Sequence, residues 1–119
     1  MSFRNLTVDD DYNISLVRGD SASFDVPLVN VDDEGHETPY TPQQGDQLRF
    51  ALSDKYGVSR EEVLILKQIP MNTLILKLEP EDTKPLKFKK YHYDIEFTDS
   101  SGDVTTVLEA DFEVAKEVY

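Results

Sequence analysis

The chain has 119 residues, of which 39% are hydrophobic and 30% are charged, so it is long enough for one domain with a buried core and too short for two. It contains no cysteine, which excludes disulfide bonds, thiolate catalysis and cysteine-ligated metal centres. The formal net charge of −12 is shared evenly by the two halves of the chain, and because an acidic surface repels phosphate backbones we expect no nucleic-acid partner.

Apolar and polar residues alternate with a period of two in most of seven segments, which predicts strands that bury one face. Residues 63–66 are apolar throughout and are predicted as a strand because the run is short and β-branched. Residues 1–11 show no such period and end in three aspartates, so we expect a loosely held, flexible arm there and one domain over residues 12–119. The predicted strands, in chain order, cover residues 12–17, 22–29, 47–53, 63–66, 73–78, 91–98 and 104–114. Between the second and third of them, residues 36–45 are expected to form a loop or a weak extra strand.

The last two strands carry the clearest pattern in the chain. Tyr91, Tyr93, Ile95 and Phe97 fall on one face, and residues 99–102, rich in Asp, Ser and Gly, predict the turn of a β-hairpin. Beyond the turn the same period predicts a second inward-facing set, made of Val104, Thr106, Leu108, Ala110, Phe112 and Val114. A sheet that is apolar on one side and polar on the other follows from this pattern.

A short helical crossover is predicted near residues 79–86, because two prolines there prevent a regular strand. Asp82 and Thr83 can satisfy free backbone groups of this segment with their side chains. Tyr91 or Tyr93 is expected to bond back to the same corner, as a tyrosine does in Greek-key sandwiches. The strand count and the turns predict an all-β fold, an immunoglobulin-like antiparallel β-sandwich of about seven strands, with a small barrel as the alternative.

The residues that could support catalysis are few. His36 and His92, the two histidines, lie on different predicted elements, and neither belongs to a nucleophile-elbow motif. Phosphate-binding glycine loops are also absent from the sequence. The sequence therefore predicts a protein that is not an enzyme and needs no cofactor.

Two turns resemble incomplete calcium loops. Oxygen-bearing side chains alternate before a glycine in the first turn, at Asn30, Asp32, Glu34 and Gly35. Thr41 occupies the twelfth position, where a bidentate glutamate would close the site, and Asp99 and Asp103 flank Gly102 in a similarly incomplete way. We interpret these acids as turn residues and predict no metal. The tripeptide Arg18-Gly19-Asp20 is likewise interpreted as a turn, not as an integrin-recognition motif.

The run from Val63 to Ile69 is apolar on both faces. Val63, Ile65 and Ile69 fall on one face, and Leu64 and Leu66 fall on the other, although a single sandwich needs only one apolar face per strand. We therefore predict a subunit contact at Val63, Leu64, Ile65 and Leu66. Three further valines on nominally outer faces could extend this patch: Val17, Val29 and Val107. The lysines at 84, 87, 89 and 90 are interpreted as solvated strand and loop ends, with contact to an acidic partner as the alternative.

The order of these features resembles a known family. The segments that carry the resemblance are residues 14–21, 45–50, 78–83, 91–95, 102–106 and 112–114. They are similar to those of small immunoglobulin-like β-sandwich structural proteins of phages and prophages of Gram-positive bacteria, including the amino-terminal domain of baseplate upper proteins. The resemblance covers residues 12–118 and implies no catalytic residues.

These observations together predict a non-enzymatic structural or assembly protein of a phage or prophage virion, in the tail or baseplate. Its partners would be copies of itself or other virion proteins, and it would be made in the bacterial host cytoplasm. No apolar run approaches the roughly 18 residues that span a bilayer, and no secretory leader is recognisable, so we expect no membrane partner. The alternative is a carbohydrate-binding or adhesin-type module, for which Tyr40 and Tyr56 are the candidate ring platform.

Overall fold

The structure is a computed structural model that describes residues 6–55 and 62–116. Within these ranges the chain forms ten strands and one short helix. In chain order they are β1 (Leu6–Val8), β2 (Ile14–Val17), β3 (Ala22–Asp25), β4 (Val29–Val31), β5 (Glu37–Pro39), β6 (Gln47–Ser53), β7 (Val63–Ile69), β8 (Ile75–Leu78), α1 (Pro80–Thr83), β9 (Lys90–Thr98) and β10 (Val104–Ala115).

The strands form one large sheet and two small ones. Six strands make the large sheet in the order β1-β2-β10-β9-β6-β7, while β3 pairs with β8 and β4 pairs with β5. All of these pairs are antiparallel except β2 with β10, which run parallel. The apolar faces of the large sheet and of the β3–β8 pair share one core, so the predicted all-β, sandwich-like fold is confirmed.

Inward-facing residues fill this core as the period-two pattern predicts. Leu48, Phe50 and Leu52 on β6 are fully buried, and so are Tyr93 and Ile95 on β9. At the centre three aromatic rings meet, with centroids 5.4 Å apart for Phe50 and Tyr93, 6.2 Å for Phe50 and Phe112, and 6.3 Å for Tyr93 and Phe112. Tilted and edge-to-face arrangements at these distances are the favourable ones for aromatic pairs.

The prediction that Val104 and Thr106, near the start of β10, point inward is wrong. A β-bulge between Thr106 and Leu108 makes Val107 an extra residue on this strand. Before the bulge Thr105 pairs with the inward-facing Phe97, so Val104 and Thr106 point outward, and Val104 is 57% exposed. One inserted residue therefore reverses the faces that an unbroken period assigns.

The expected arm over residues 1–11 is wrong for residues 6–8. These residues form β1, in which Leu6 pairs with Leu16 and Val8 with Ile14, and Leu6 packs against the core. The Asp9 side chain stabilises the turn between β1 and β2 by accepting hydrogen bonds from the backbone N–H groups of Asp11 and Asn13. Residues 1–5 lie outside the described part of the chain.

The crossover has the predicted short helix, α1, with Pro80 in its first turn. The backbone N–H of Glu79 donates to the Asp82 carboxylate at 2.7 Å, and the fully buried Thr83 accepts a 2.8 Å hydrogen bond from the backbone of Gly19. The tyrosine corner is confirmed for Tyr91. Its hydroxyl accepts from the N–H of Lys87 at 2.9 Å and donates to the carbonyl of the same residue at 3.1 Å.

Candidate functional site

Strand β7 is an edge of the large sheet. It pairs with β6 on one side only, so its other side presents backbone groups that no strand of the described residues engages. Ala51 on β6 lies directly opposite Leu66, and both side chains point away from the core. The strand that carries the predicted subunit contact therefore lies at the rim of the sandwich, with Leu66 on its outer face.

The structure places the four predicted contact residues differently from one another. Ile65 is only 7% exposed and belongs to the core, so it is not available to a partner. Leu64 and Leu66 are 49% and 51% exposed. Val63, expected on the inner face with Ile65, instead pairs with the outward-facing Ser53, because a bulge in the β6–β7 ladder makes Leu64 an extra residue.

We call Val63, Leu64 and Leu66 the β7 patch. Charged residues limit it on the same outer face, where Arg49 lies 2.7 Å from Asp94 and 2.9 Å from Glu96. An apolar centre beside a polar rim is the usual composition of a protein–protein contact. The patch is small, and its three side chains are apolar groups left in contact with water.

A lysine on β7 points inward, towards the gap between the two sheets. Lys67 pairs with the buried Phe50, and its Nζ lies 3.1 Å from the carbonyl oxygen of Lys77 on β8 and 2.5 Å from the Asp82 carboxylate of α1. An inward-pointing charge is a device by which edge strands avoid pairing with another sheet. The outer side chains of the β7 patch are therefore a better contact surface than the backbone edge.

The three outer valines do not extend this patch. Val17 lies on β2, which three strands separate from β7 in the large sheet. Val107 packs against the core from its place in the β10 bulge. Val29 is exposed, but it lies on β4, in a separate two-stranded sheet. The expectation of one patch shared by all these residues is wrong, because the strands place them on different parts of the surface.

The acids of the two incomplete calcium loops stabilise turns. One Asp32 carboxylate oxygen accepts from the backbone N–H groups of Glu34 and His36, and one Asp99 oxygen accepts from those of Ser101 and Asp103. The hydrogen bond from the His36 backbone is the main cause that holds the pKa of Asp32 below its usual range. For Asp99 the main cause of the lowered pKa is the hydroxyl of Ser101, which donates to the same oxygen at 2.6 Å, and the backbone of Asp103 follows. In the described ranges no three metal-ligating side chains converge on one point.

The two histidines lie on separate elements. The Nδ1 of His36 is 3.2 Å from Asp32 in the turn between β4 and β5, and that of His92 is 2.8 Å from Asp111 on the outer face of the large sheet. Each ring thus has its own carboxylate neighbour. The structure does not bring the histidines into one site.

The Arg-Gly-Asp turn is attached to the crossover. Arg18 donates to the carbonyl oxygen of Leu86 at 3.3 Å, and its guanidinium lies over the ring of Phe88, 4.2 Å from the centroid. Gly19 has φ +82° and is bonded to Thr83, as described above. These contacts account for the sequence of the turn without a recognition role.

Tyr40 is the one part of the proposed sugar platform that lies within the described residues, since Tyr56 is outside them. Its ring meets Phe97 edge-on at 5.3 Å, and its hydroxyl donates to Asp46 at 2.5 Å. The hydrogen bond to the carboxylate, which is the main cause, raises the pKa of Tyr40 to about 12. A ring held in this way serves to attach the loop to β9.

Comparison with known protein families, with curated proteins and with solved structures gives no match for this chain. None of the helices within the described residues has the length and apolar character needed to cross a membrane. The fold therefore defines the class, an all-β sandwich-like protein, and its most distinctive surface feature is the β7 patch.

Proposed function

We propose that this protein is a non-enzymatic structural or assembly component that acts through protein–protein contacts, and that the β7 patch is one of its contact surfaces. The observation that carries the proposal is the exposure of Leu64 and Leu66 side by side on the outer face of an edge strand. Single surface aliphatics are common, whereas two half-exposed leucines close together on the outer face of an edge strand form an apolar patch of the kind that marks interaction sites.

The size of the patch indicates the kind of contact it makes. Burying a leucine completely is worth about 1.5–3 kcal/mol, so covering the exposed halves of Leu64 and Leu66 gives roughly 1.5–3 kcal/mol together. Association costs about 4–15 kcal/mol in lost translational and rotational freedom. The β7 patch alone is therefore too weak for a stable dimer, and it suits an assembly in which several contacts act together.

The location within a phage or prophage virion, in the tail or baseplate, is part of the same proposal and comes from the resemblance of the sequence. In an assembly of many copies, weak contacts that act together give high overall affinity, which is the regime that the size of the patch favours. The partners would be further copies of this chain or neighbouring virion proteins. A carbohydrate-binding or adhesin-type module is the alternative, and the attachment of Tyr40 to Phe97 and Asp46 weighs against it.

Self-association at the β7 patch can be tested by light scattering. Wild-type protein should exceed the 13.6 kDa monomer mass at concentrations approaching about 1 mM, where an assembly is populated if its contacts, the β7 patch among them, together give a net association free energy of about 4 kcal/mol. The variant Leu64→Lys with Leu66→Lys should remain at the monomer mass and keep its β-type circular dichroism spectrum, because both side chains lie outside the core.

The matched control is Thr7→Lys with Val8→Lys. It places the same two charges on exposed positions of β1, the opposite edge of the large sheet, and should associate like the wild type. Self-association at the β7 patch would be refuted if wild-type protein stayed monomeric over the whole range, or if the leucine variant kept the wild-type mass. It would also be refuted if the control lost association to the same extent.

A further inference from the structure

The β4–β5 hairpin is a sheet without a partner. Its strands pair only with each other among the described residues, and every residue in both strands is exposed. Val29 and Val31 lie on one face of β4 with 39% and 62% exposure. An isolated two-stranded hairpin is only marginally stable in water, so this one is a candidate for contact with something outside the sandwich.

The end of the molecule that carries the hairpin is acidic. Residues 29–46 and 99–103 contain seven Asp or Glu side chains and neither Lys nor Arg. Tyr40 links the two segments, since it follows the hairpin directly and contacts Phe97 next to the second segment. The charges of Asp46 and Asp99 contribute to the raised pKa of Tyr40, which places a negative potential at this end.

The segment next to the opposite end of β9 is basic. Residues 84–90 contain four lysines and no acidic residue, and among them Phe88 is 43% exposed with Arg18 over its ring. Lys89 is paired with Asp54, whereas Lys84 and Lys87 form no ion pair with any residue that the structure describes. This segment therefore presents an exposed ring among lysines, with Asp54 beside Lys89 and Glu113 opposite Lys90 at its border.

The two surfaces cannot meet within one copy. Strand β9 runs from Lys90, beside the lysine segment, to Thr98, beside the acidic end, and nine residues of strand span about 27 Å. Each surface has exposed apolar side chains at its centre and charge around them, and the charges have opposite sign. Surfaces that are complementary but lie at opposite ends of one molecule produce heterologous, head-to-tail contacts.

We infer that the β4–β5 hairpin of one copy binds the segment 84–90 of a second copy, with Val29 and Val31 against Phe88 and the hairpin acids against the lysines. This inference deepens the proposed function by naming a second copy as the partner and a head-to-tail geometry for the assembly. The contact repeats from copy to copy, so it forms a ring or an open row. At physiological salt, where the Debye length is about 8 Å, repulsion between the acidic molecules is screened more than ion pairs in contact are.

A charge-exchange experiment tests the contact. One variant carries Asp33→Lys and Glu37→Lys, and the other carries Lys84→Glu and Lys87→Glu; all four side chains are exposed. Each variant alone should fall to the 13.6 kDa mass in light scattering, because its two ends now have charges of the same sign. An equimolar mixture should associate again, since the reversed end of one variant fits the reversed end of the other.

The control Asp10→Lys with Asp11→Lys makes the same change in net charge as the hairpin variant, in the exposed turn between β1 and β2, and should associate like the wild type. The inference is overturned if the mixture stays monomeric, if either variant alone keeps the wild-type mass, or if the control also dissociates. If the mixture associates again but the variant Leu64→Lys with Leu66→Lys keeps the wild-type mass, the contact at the β7 patch is refuted and the head-to-tail contact stands. If the leucine variant is monomeric but the mixture does not associate again, the head-to-tail contact is refuted and the β7 patch stands.

Discussion

The loop that follows the β4–β5 hairpin approaches the β9–β10 turn so closely that Gly45 has no room for a side chain. Gly45 has φ +91°, and a Cβ atom there would lie 2.9 Å from the Cβ of Ser100 and 3.4 Å from its Cα. Contacts under 3.0 Å require one of the two segments to move. Gly45→Ala should therefore destabilise the protein through two separate effects, a strained backbone and a steric clash.

The two effects can be given magnitudes. A left-handed backbone costs a residue other than glycine roughly 1–2 kcal/mol, and an extra methyl group forced into a filled space costs about 1–3 kcal/mol. Gly45→Ala should thus lower the free energy of unfolding by about 2–5 kcal/mol. Gly35 and Gly102 have φ +86° and +94° with nothing within 4 Å of an added Cβ, so Ala at either position should lose only the first part.

Urea denaturation of the three alanine variants separates the two contributions. Ser100→Gly removes the atom that the new methyl group meets, so the double variant Gly45→Ala with Ser100→Gly should recover the steric part and keep the backbone part. Equal losses for Gly45, Gly35 and Gly102 would refute the close approach of the two loops. So would a double variant whose losses are simply additive.

Two further predictions concern single hydrogen bonds. Thr83→Val should lower the free energy of unfolding by about 1–3 kcal/mol in urea denaturation, because it leaves the N–H of Gly19 without its acceptor, whereas Thr83→Ser should restore that hydrogen bond. Asp46→Asn should move the pKa of Tyr40 from about 12 back towards 10.0, measured by ultraviolet titration against Tyr40→Phe. Because folding favours the neutral phenol, the contribution of Tyr40 to stability is complete below pH 10 and is lost as the pH rises towards 12 in the wild type. If the pKa of Tyr40 were unchanged in Asp46→Asn, the hydrogen bond to Asp46 would not be the cause of the raised pKa.

The sequence predicts the core well wherever a strand is regular. Alternation alone identifies the buried faces of β6 and β9, because a side chain every second residue must enter the same layer. The crossover and its tyrosine were also predictable, since two prolines exclude a strand and Tyr91 follows them closely in the chain, at the start of the next strand. These features depend on neighbours in the chain, which the sequence displays directly.

Two bulges explain where the predicted faces are wrong. A bulge inserts one residue, and nothing in the alternation around Val107 or Leu64 indicates that the register changes there. The consequences are large, since Val104 moves from the expected core to the surface and Val63 joins the outer leucines. The β7 patch therefore includes Val63, which the period places on the inner face, whereas Ile65 stays in the core.

Short strands were missed for a different reason. β1 and β4 were not predicted, and β5 lies in the segment expected to be a loop or a weak extra strand. Each has three residues, too few for any period to be recognised, and they are strands because of the partners with which they pair. The inward direction of Lys67 is similar. A charged side chain is normally expected on the outside, and the carbonyl of Lys77 and the carboxylate of Asp82 across the gap make the inner position of Lys67 favourable.

The separation of charge between the two ends of β9 is also invisible in the linear sequence. Dividing the chain at residue 60 leaves each half equally acidic, with 5 basic against 11 acidic residues in the first half and 7 against 13 in the second. The fold redistributes these charges because β9 carries the chain from the lysine segment to the acidic turn, and the loop after the hairpin joins that turn through Tyr40 and Phe97. Because neighbouring strands of a sheet run side by side, each end of the sheet collects the turns of distant segments. The polarity that the head-to-tail contact needs is thus a property of the topology, and no count along the sequence contains it.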